Sequence, residues 1–400
     1  MKPAILVTDG DQRAALAIVR SLGRAGYRVF VCSPRRRSLA GASRHCRAEA
    51  TVPEALRDPS GFVEAVGRLT ESWNIGVLLP VTEASLLALL PARERFPKAC
   101  IPFPDAGMFE RVSDKAALLE IAASLGIPVP AQAVLRRRTD LSKLGLDQLR
   151  FPLVLKPYRS VAGEGEGEQS RVKLGVRYAA DPSQLAAVVA GLPSGAFPLL
   201  LQQRLVGPGQ GVFLLRWGGA TRAVFAHRRI REKPPSGGVS VCAESVPADP
   251  GLVSQAERLL RHFGWQGVAM VEFKLDAATG TAYLMEVNGR FWGSLQLAID
   301  AGVDFPRLLV SAALGDPPEP VSGYRIGVRT RWWWGEVDHL LARLRRSDTD
   351  LALAPGTPGR WRALAEFLAS SWHPGTRNEV LRRDDPRPFF QETTDWLRGR

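Results

Sequence analysis

Apolar and polar positions follow two rhythms near the start of the chain. Residues 4–9 (AILVTD) form a short apolar run closed by Asp9-Gly10, apolar positions then recur at helical spacing from Arg13 to Gly26, and YRVFVCS (27–33) is a second unbroken run. Strand, helix, strand in that order predicts the opening of a parallel α/β sheet. NIGVLLPV (74–81) predicts a third strand, TEASLLALLPARERF the helix after it, and ACIPFP a fourth short strand. The first turn reads DGDQRAA and carries no GxGxxG, so nothing supports a nicotinamide-dependent oxidoreductase.

From Ala106 the texture changes. SDKAALLEIAASLGIPVP opens with the cap signal Ser113-Asp114, keeps helical spacing and stops at Gly126 and Pro128. FPLVLKP (151–157) predicts a strand, followed by the glycine-rich RSVAGEGEGEQS, a helix from Pro182 and the strand FPLLLQQRL (197–205). GVFLLRWGGATRAVFAHRRI predicts a hairpin turning at Gly218-Gly219. An amphipathic helix, DPGLVSQAERLLRHFGW, and the hairpin GVAMVEFKL with TAYLMEVN come next.

That last hairpin carries chemistry. A loop from Asp276 to Gly280 puts Leu275 opposite Thr281, so Val271, Phe273, Leu275, Tyr283, Met285 and Val287 share an apolar face. The other face holds Glu272, Lys274, Glu286 and Asn288, with Glu286 diagonal to Glu272. Two neighbouring carboxylates ask for a cation between them, and oxygen donors favour Mg²⁺ over zinc. On the hairpin alone, a polar face turned to water fits equally well. Lys156 ends an otherwise apolar strand directly before the glycine-rich loop, a sequence that offers a point charge and free N–H groups to phosphate oxygens.

Composition narrows the classes. At 400 residues, 45% hydrophobic and 23% charged, the chain is expected to form two or three globular domains. No apolar run is long enough to span a membrane, and the N-terminus lacks a secretory h-region, so a cytoplasmic location is expected. Cys32, Cys46, Cys100 and Cys242 are scattered without a CxxC pair. The net charge of +13 comes from 45 arginines against 8 lysines. No basic run interleaves with aromatics as in a nucleic-acid platform, so nucleic acid is not an expected partner.

Lys115 in SDK, Lys156 in PLVLKP, the glycine-rich loop, LLLQQRL, Glu272 in VEF and MEVNGR occur in an order that resembles the ATP-grasp superfamily. The resemblance covers residues 1–325 and is closest to the carbamoyl-phosphate-synthase-like and carboxylate–amine ligase branch. It implies a multidomain α/β and α+β fold. A Rossmann-like pre-ATP-grasp domain would occupy 1–108, a lid subdomain 109–198, a metal-binding subdomain 199–325 and an extension 326–400. Lys115 and Lys156, with Gly163 and Gly165 of the loop, would contact ATP phosphates. Gln202, Gln203 and Leu205 would bracket adenine, Gln210 the ribose. Glu272, Glu286 and Asn288 would bind two Mg²⁺ ions, or Mn²⁺, and Arg290 would stabilise an acyl-phosphate or the acceptor. Two positions depart from the pattern: Gln203 and Gln210 stand where the superfamily commonly has glutamates.

The segment AHRRIREKPPSGGVS (226–240) is the expected substrate contact, through His227, Arg228, Arg229, Arg231 and Ser240. Guanidinium forks suit carboxylates, which places Arg229 beside Lys156 and Arg290 in the catalytic set. Glu83, at the carboxyl end of the third strand, would meet a substrate amine. The implied reaction joins a small carboxylate, such as an amino acid, to an amine acceptor through an acyl-phosphate. Alternatives are a bicarbonate-phosphorylating carboxylase or carbamoyl-phosphate-type enzyme, and a non-catalytic ATP-binding module. A homodimer is a compatible assembly. Six of the ten tryptophans follow residue 330, where GEVDHLLARLRR reads as an amphipathic helix packed on the preceding domain. DDPRPFF reads as an extended tail, because prolines block helix.

Overall fold

Ala4–Val7 are buried on both faces, as a strand inside a parallel sheet must be. The computed structural model describes residues 2–399 apart from 147, 159–160, 164–170, 174, 322, 352, 354–355 and 373–374. Strands β1 (Ala4–Val7), β2 (Arg28–Ser33), β3 (Cys46–Thr51) and β4 (Ile75–Leu79) form a parallel sheet in the order β3-β2-β1-β4. Helices α1 (Arg13–Arg24), α2 (Pro59–Ser72) and α3 (Glu83–Leu89) connect and cover it. The expected fourth strand at ACIPFP makes only the bridge from Val77 of β4 to Cys100, and the fourth strand of the sheet is β3, beside β2 at the other edge. Pro102 and Pro104 remove donors from the first segment, whereas the polar CRAEAT, half-buried, suits a sheet edge.

Helices α4 (Ala106–Ser113) and α5 (Lys115–Ser124) lead out of this region. Asp114 caps α5 by accepting from Ala116 N at 3.0 Å and Ala117 N at 3.1 Å. Strands β5 (Gln132–Leu135), β6 (Leu153–Pro157), β9 (Arg177–Ala179) and β10 (Leu199–Gln203) make an antiparallel sheet ordered β5-β10-β6-β9. A separate pair joins β7 (Val161–Gly163) to β8 (Arg171–Lys173). Alternation sends Leu153, Leu155, Leu199 and Leu201 into a small core with Leu185 and Val189 of α6 (Pro182–Ala190). The opposite face, with Val154, Lys156, Leu200 and Gln202, turns to the rest of the molecule.

The third sheet has seven strands: β11 (Gly209–Trp217), β12 (Ala220–Lys233), β13 (Val239–Ser245), β14 (Gly267–Leu275), β15 (Ala282–Asn288), β16 (Arg329–Arg331) and β17 (Thr376–Asn378). Gly218 and Gly219, at φ +58° and +78°, turn β11 into β12 as a two-residue hairpin requires. Helices α7 (Pro250–His262), α8 (Leu295–Ala301) and α9 (Phe305–Ala313) pack on it. After it come α10 (Trp333–Arg345), α11 (Arg360–Trp372) and α12 (Arg387–Leu397). The C-terminal stretch therefore extends the central sheet through β16 and β17.

The expected extended tail at DDPRPFF is instead the start of α12. Pro386 is its N-cap and Pro388 lies in its first turn, where a missing N–H costs nothing. The tail is anchored on α1. Arg20, fully buried, donates from Nε to Asp385 Oδ2 at 2.8 Å and from Nη2 to the Val380 and Asp385 carbonyls. Ser43 Oγ and Arg44 N also donate to the Asp385 carboxylate. Among the described residues no helix is long and apolar enough to cross a membrane.

Candidate active site

The β14–β15 hairpin pairs one step differently from the simple register. Leu275 faces Ala282, and a bulge between Glu272 and Phe273 puts Glu272 directly opposite Glu286 and Met270 opposite Asn288. Phe273 then pairs with Leu284, which takes the core position, while the extra residue, Met285, is half-buried rather than packed inward. The two carboxylates thus stand face to face rather than on a diagonal. Gly289, immediately after, is required because a Cβ there would lie 2.2 Å from the Trp265 ring.

Three cations hold this pair. Lys115 Nζ lies 3.9 Å from Glu286 Oε2, and Arg229 bridges Glu272 and Glu232, the latter at 2.8 Å. Lys156 Nζ donates to Gln202 Oε1 at 2.8 Å, and Gln202 in turn donates to Gln132 Oε1 at 3.2 Å. The Lys115 N–H donates to Tyr158 O at 3.0 Å, which ties the start of α5 to the end of β6 and brings both lysines to one place. A lysine in the first turn of a helix opposes the macrodipole, an arrangement that favours an anion at that point.

Environment separates the two glutamates. Burial alone would raise Glu286, but Lys115, Lys156 and a 2.9 Å hydrogen bond from Asn288 Nδ2 hold it down at about 2. Burial and the facing Glu286 push Glu272 up, against the pull of Arg229. Burial likewise lowers Lys156, opposed by both glutamates. Arg290 donates to Asn288 Oδ1 at 3.2 Å and to Phe291 O at 3.0 Å. Glu272, Glu286 and the Asn288 amide oxygen offer oxygen donors alone, a set that suits Mg²⁺. Among the described residues no three His, Cys, Asp or Glu side chains form a cage. A cation here would complete its shell with water or with oxygens of a bound ligand, as Mg²⁺ usually does.

Glu286, Asn288 and Arg290 open into a cleft of about 1060 Å³ that also reaches Glu83. Asp9, at φ +58°, accepts from Val81 N, Thr82 N, Thr82 Oγ1 and Ser85 Oγ, and so builds the turn that presents Glu83. Glu83 Oε1 is buried there without a hydrogen-bond partner among the described residues.

Other residues of the expected set lie elsewhere. His227 is in the core, its ring edge-on to Phe213 at 4.7 Å and its Nδ1 3.4 Å from Ser294 Oγ. Burial, then Arg229, lowers its pKa to about 3, so it stays neutral and exchanges no proton near neutrality. Arg228 turns outward to Glu244 at 2.7 Å. Arg231 is tied to buried Glu336 and to Ser370 of the C-terminal stretch. Ser240 donates its hydroxyl to Cys242 O, and its carbonyl accepts from Arg13 Nη2. Gln210 pairs with Arg228 and Phe273, so alternation puts it on the sheet face opposite Glu272. Each of the three arginines has an acid partner, and an arginine-rich strand does not disclose that Arg229 is the one whose partner is Glu272. Gln203 and Leu205 end and follow β10, Gly163 ends β7, and Gly165 lies outside the described residues. Sequence reasoning missed Trp332, Trp334, Glu392 and Trp396, which also line the cleft. Their clustering after residue 330 was the available signal.

The fold is the ATP-grasp fold. A family model described as an ATP-grasp in the biosynthetic pathway with Ter operon matches residues 196–333. The structure is similar to the L-amino acid ligase from Bacillus licheniformis (TM-score 0.61, 19% identity, 80% of this chain and 76% of that one). It is also similar to the N5-carboxyaminoimidazole synthetase from Staphylococcus aureus complexed with ADP (TM-score 0.60, 16% identity, 82% and 80%). A third is the biotin carboxylase from Campylobacter jejuni in a beta-gamma-ATP complex (TM-score 0.63, 14% identity, 82% and 74%). No curated protein matches the sequence.

Proposed function

We propose that the chain is an ATP-dependent carboxylate–amine ligase. A substrate carboxylate held at Arg290 attacks the γ-phosphorus of ATP, the bond to the bridging oxygen breaks, and ADP leaves an acyl-phosphate behind. The lone pair of an amine attacks the acyl carbon, phosphate departs with the C–O bonding pair, and the amine proton passes to solvent. Lys115 and Lys156 neutralise phosphoryl oxygens, Gln202 holds the Lys156 ammonium in place, and Arg290 fixes the carboxylate. Glu272, Glu286 and Asn288 would hold Mg²⁺, two ions with the nucleotide bound, whose charge offsets that of the triphosphate.

The observation that carries this reading is convergence. Two lysines, two glutamates, an amide and an arginine, drawn from separate segments, gather beside a cleft that Glu286, Asn288 and Arg290 line. The cleft, about 1060 Å³, has room for an organic carboxylate and an amine. ADP and phosphate release, screened over amino acids paired with amines, is expected to depend on both substrates and on Mg²⁺, with Mn²⁺ a substitute. Glu286→Gln is expected to lower that turnover about 10²–10³-fold; unchanged turnover would sink the metal assignment. Tight ATP binding with no stimulation by any pair would point instead to a non-catalytic module.

A further inference from the structure

We propose that the C-terminal stretch is the acceptor half of this site, and that the wall it presents to the cleft receives a protonated amine on an aromatic or apolar body. The inference rests on the ligase reading and adds the class of its second substrate.

Trp332, Trp334 and Asp338 reach the cleft from the start of α10, and Glu392, Asp395 and Trp396 from α12. The last three lie three and four residues apart, so one helix face carries them all. Their hydrogen bonds set the ring planes. Trp332 Nε1 donates to Glu392 Oε1 at 2.7 Å, Trp396 Nε1 donates to Asp338 Oδ1 at 2.9 Å, and Trp334 stacks on Trp396 at 4.1 Å. Nothing about helix stability asks for Asp395 near the C-terminus of α12, where the macrodipole opposes an acid.

The wall is short of cations. Lys233 pairs with Asp338, and Arg35 lies 3.8 Å from Asp395. Glu392 Oε2 is buried with no hydrogen-bond partner among the described residues, and so is Glu83 Oε1, which shares a pocket with Lys115 and Arg290. A buried carboxylate oxygen without a donor is costly, and an ammonium group supplies donors and the opposite charge together. Arg13 at 4.1 Å and Lys233 at 5.4 Å already stand over the Trp332 ring, so the Trp334–Trp396 pair is the aromatic surface that remains to a ligand at this wall. A carboxylate would be repelled here and drawn to Lys115, Lys156 and Arg290 at the other end. The cleft is thus polarised: ATP and the carboxylate bind toward Lys115, Lys156 and Arg290, and the amine enters along the acidic, aromatic side, its ammonium releasing one proton to solvent before the freed lone pair reaches the acyl carbon. Most of this wall lies beyond the residues 196–333 matched by the family model.

Calorimetric titration of the full chain in Mg·ADP tests this with phenethylamine and tryptamine, against the matched neutral alcohols and arylalkyl carboxylates. The amines are expected to bind at least about tenfold tighter than the alcohols, and Glu392→Gln to remove at least about tenfold of that affinity. A parallel titration of Mg·ADP is expected to agree within about twofold between the variant and the wild type. Amines that bind no better than alcohols, or a folded Glu392→Gln that binds them as the wild type does, overturn the proposal. Should Glu392→Gln fail to fold, Asp395→Asn on the same helix face is held to the same standard. Failure of the wild type to bind Mg·ADP would overturn the ligase reading itself, a result separate from the amine comparison.

Discussion

Glu272 and Glu286 face each other across two strands, a placement that costs free energy unless cations or hydrogen bonds compensate it. Lys115, Lys156 and Arg229 do so from three other segments. Gln202 acts through Lys156, so Gln202→Leu is expected to reduce kcat by about tenfold, with Lys156→Met costing about 10²–10³-fold, in steady-state kinetics. Lys156→Arg is expected to restore part of the loss, which a purely structural role would not. Glu392 makes a second residue-level prediction. Burial raises its carboxyl to about 7, opposed by the Trp332 hydrogen bond and Arg13. A folded value above the unfolded one means its contribution is complete below about pH 4.5 and lost as pH rises through 7. Thermal melts from pH 4.5 to 8 should show wild-type stability declining over that window, with the decline flattened in Glu392→Gln.

At the scale of elements, periodicity went far. The first β-α-β unit, the capped helix at Lys115, the strand ending in Lys156 and both hairpins were legible because each owes its form to local pattern and turn residues. The hairpin's bulge was not, since inserting Met285 leaves the apolar alternation almost unchanged while shifting Glu286 by a full pair. Cys46–Thr51 escaped because an edge strand needs no apolar run, and α12 because prolines at a helix start resemble prolines that block one. Gly289→Ala tests the turn after β15. A Cβ against Trp265 is expected to cost about 1–3 kcal/mol in chemical denaturation and to weaken nucleotide binding by displacing Asn288 and Arg290.

Across the whole molecule, the C-terminal stretch clasps the first sheet and the central sheet together. Its hold on α1 is the buried Arg20–Asp385 pair, whose side chains are 1% and 0% exposed. Burial alone would raise Asp385, but bonds from Arg20, Arg44 and Ser43 outweigh it and hold the carboxyl below the usual aspartate range. Asp385→Asn is expected to cost about 3–5 kcal/mol near neutral pH, because it strands a buried guanidinium. That difference should shrink as pH falls below about 4, where the wild-type carboxyl begins to protonate. Melting curves of both proteins at pH 7 and pH 3 measure it.

By itself the sequence determined the elements and the chemistry each could offer: lysines at a helix start and a strand end, carboxylates on one hairpin face, tryptophans gathered after residue 330. Those properties are local, set by spacing, caps and turn residues. The tertiary structure alone decided which arginine of AHRRIREK meets Glu272, that His227 is sealed in the core, and that the last helix walls the cleft. Each of these depends on contacts between segments far apart in the chain, where burial and charge pairing, not periodicity, choose the partner.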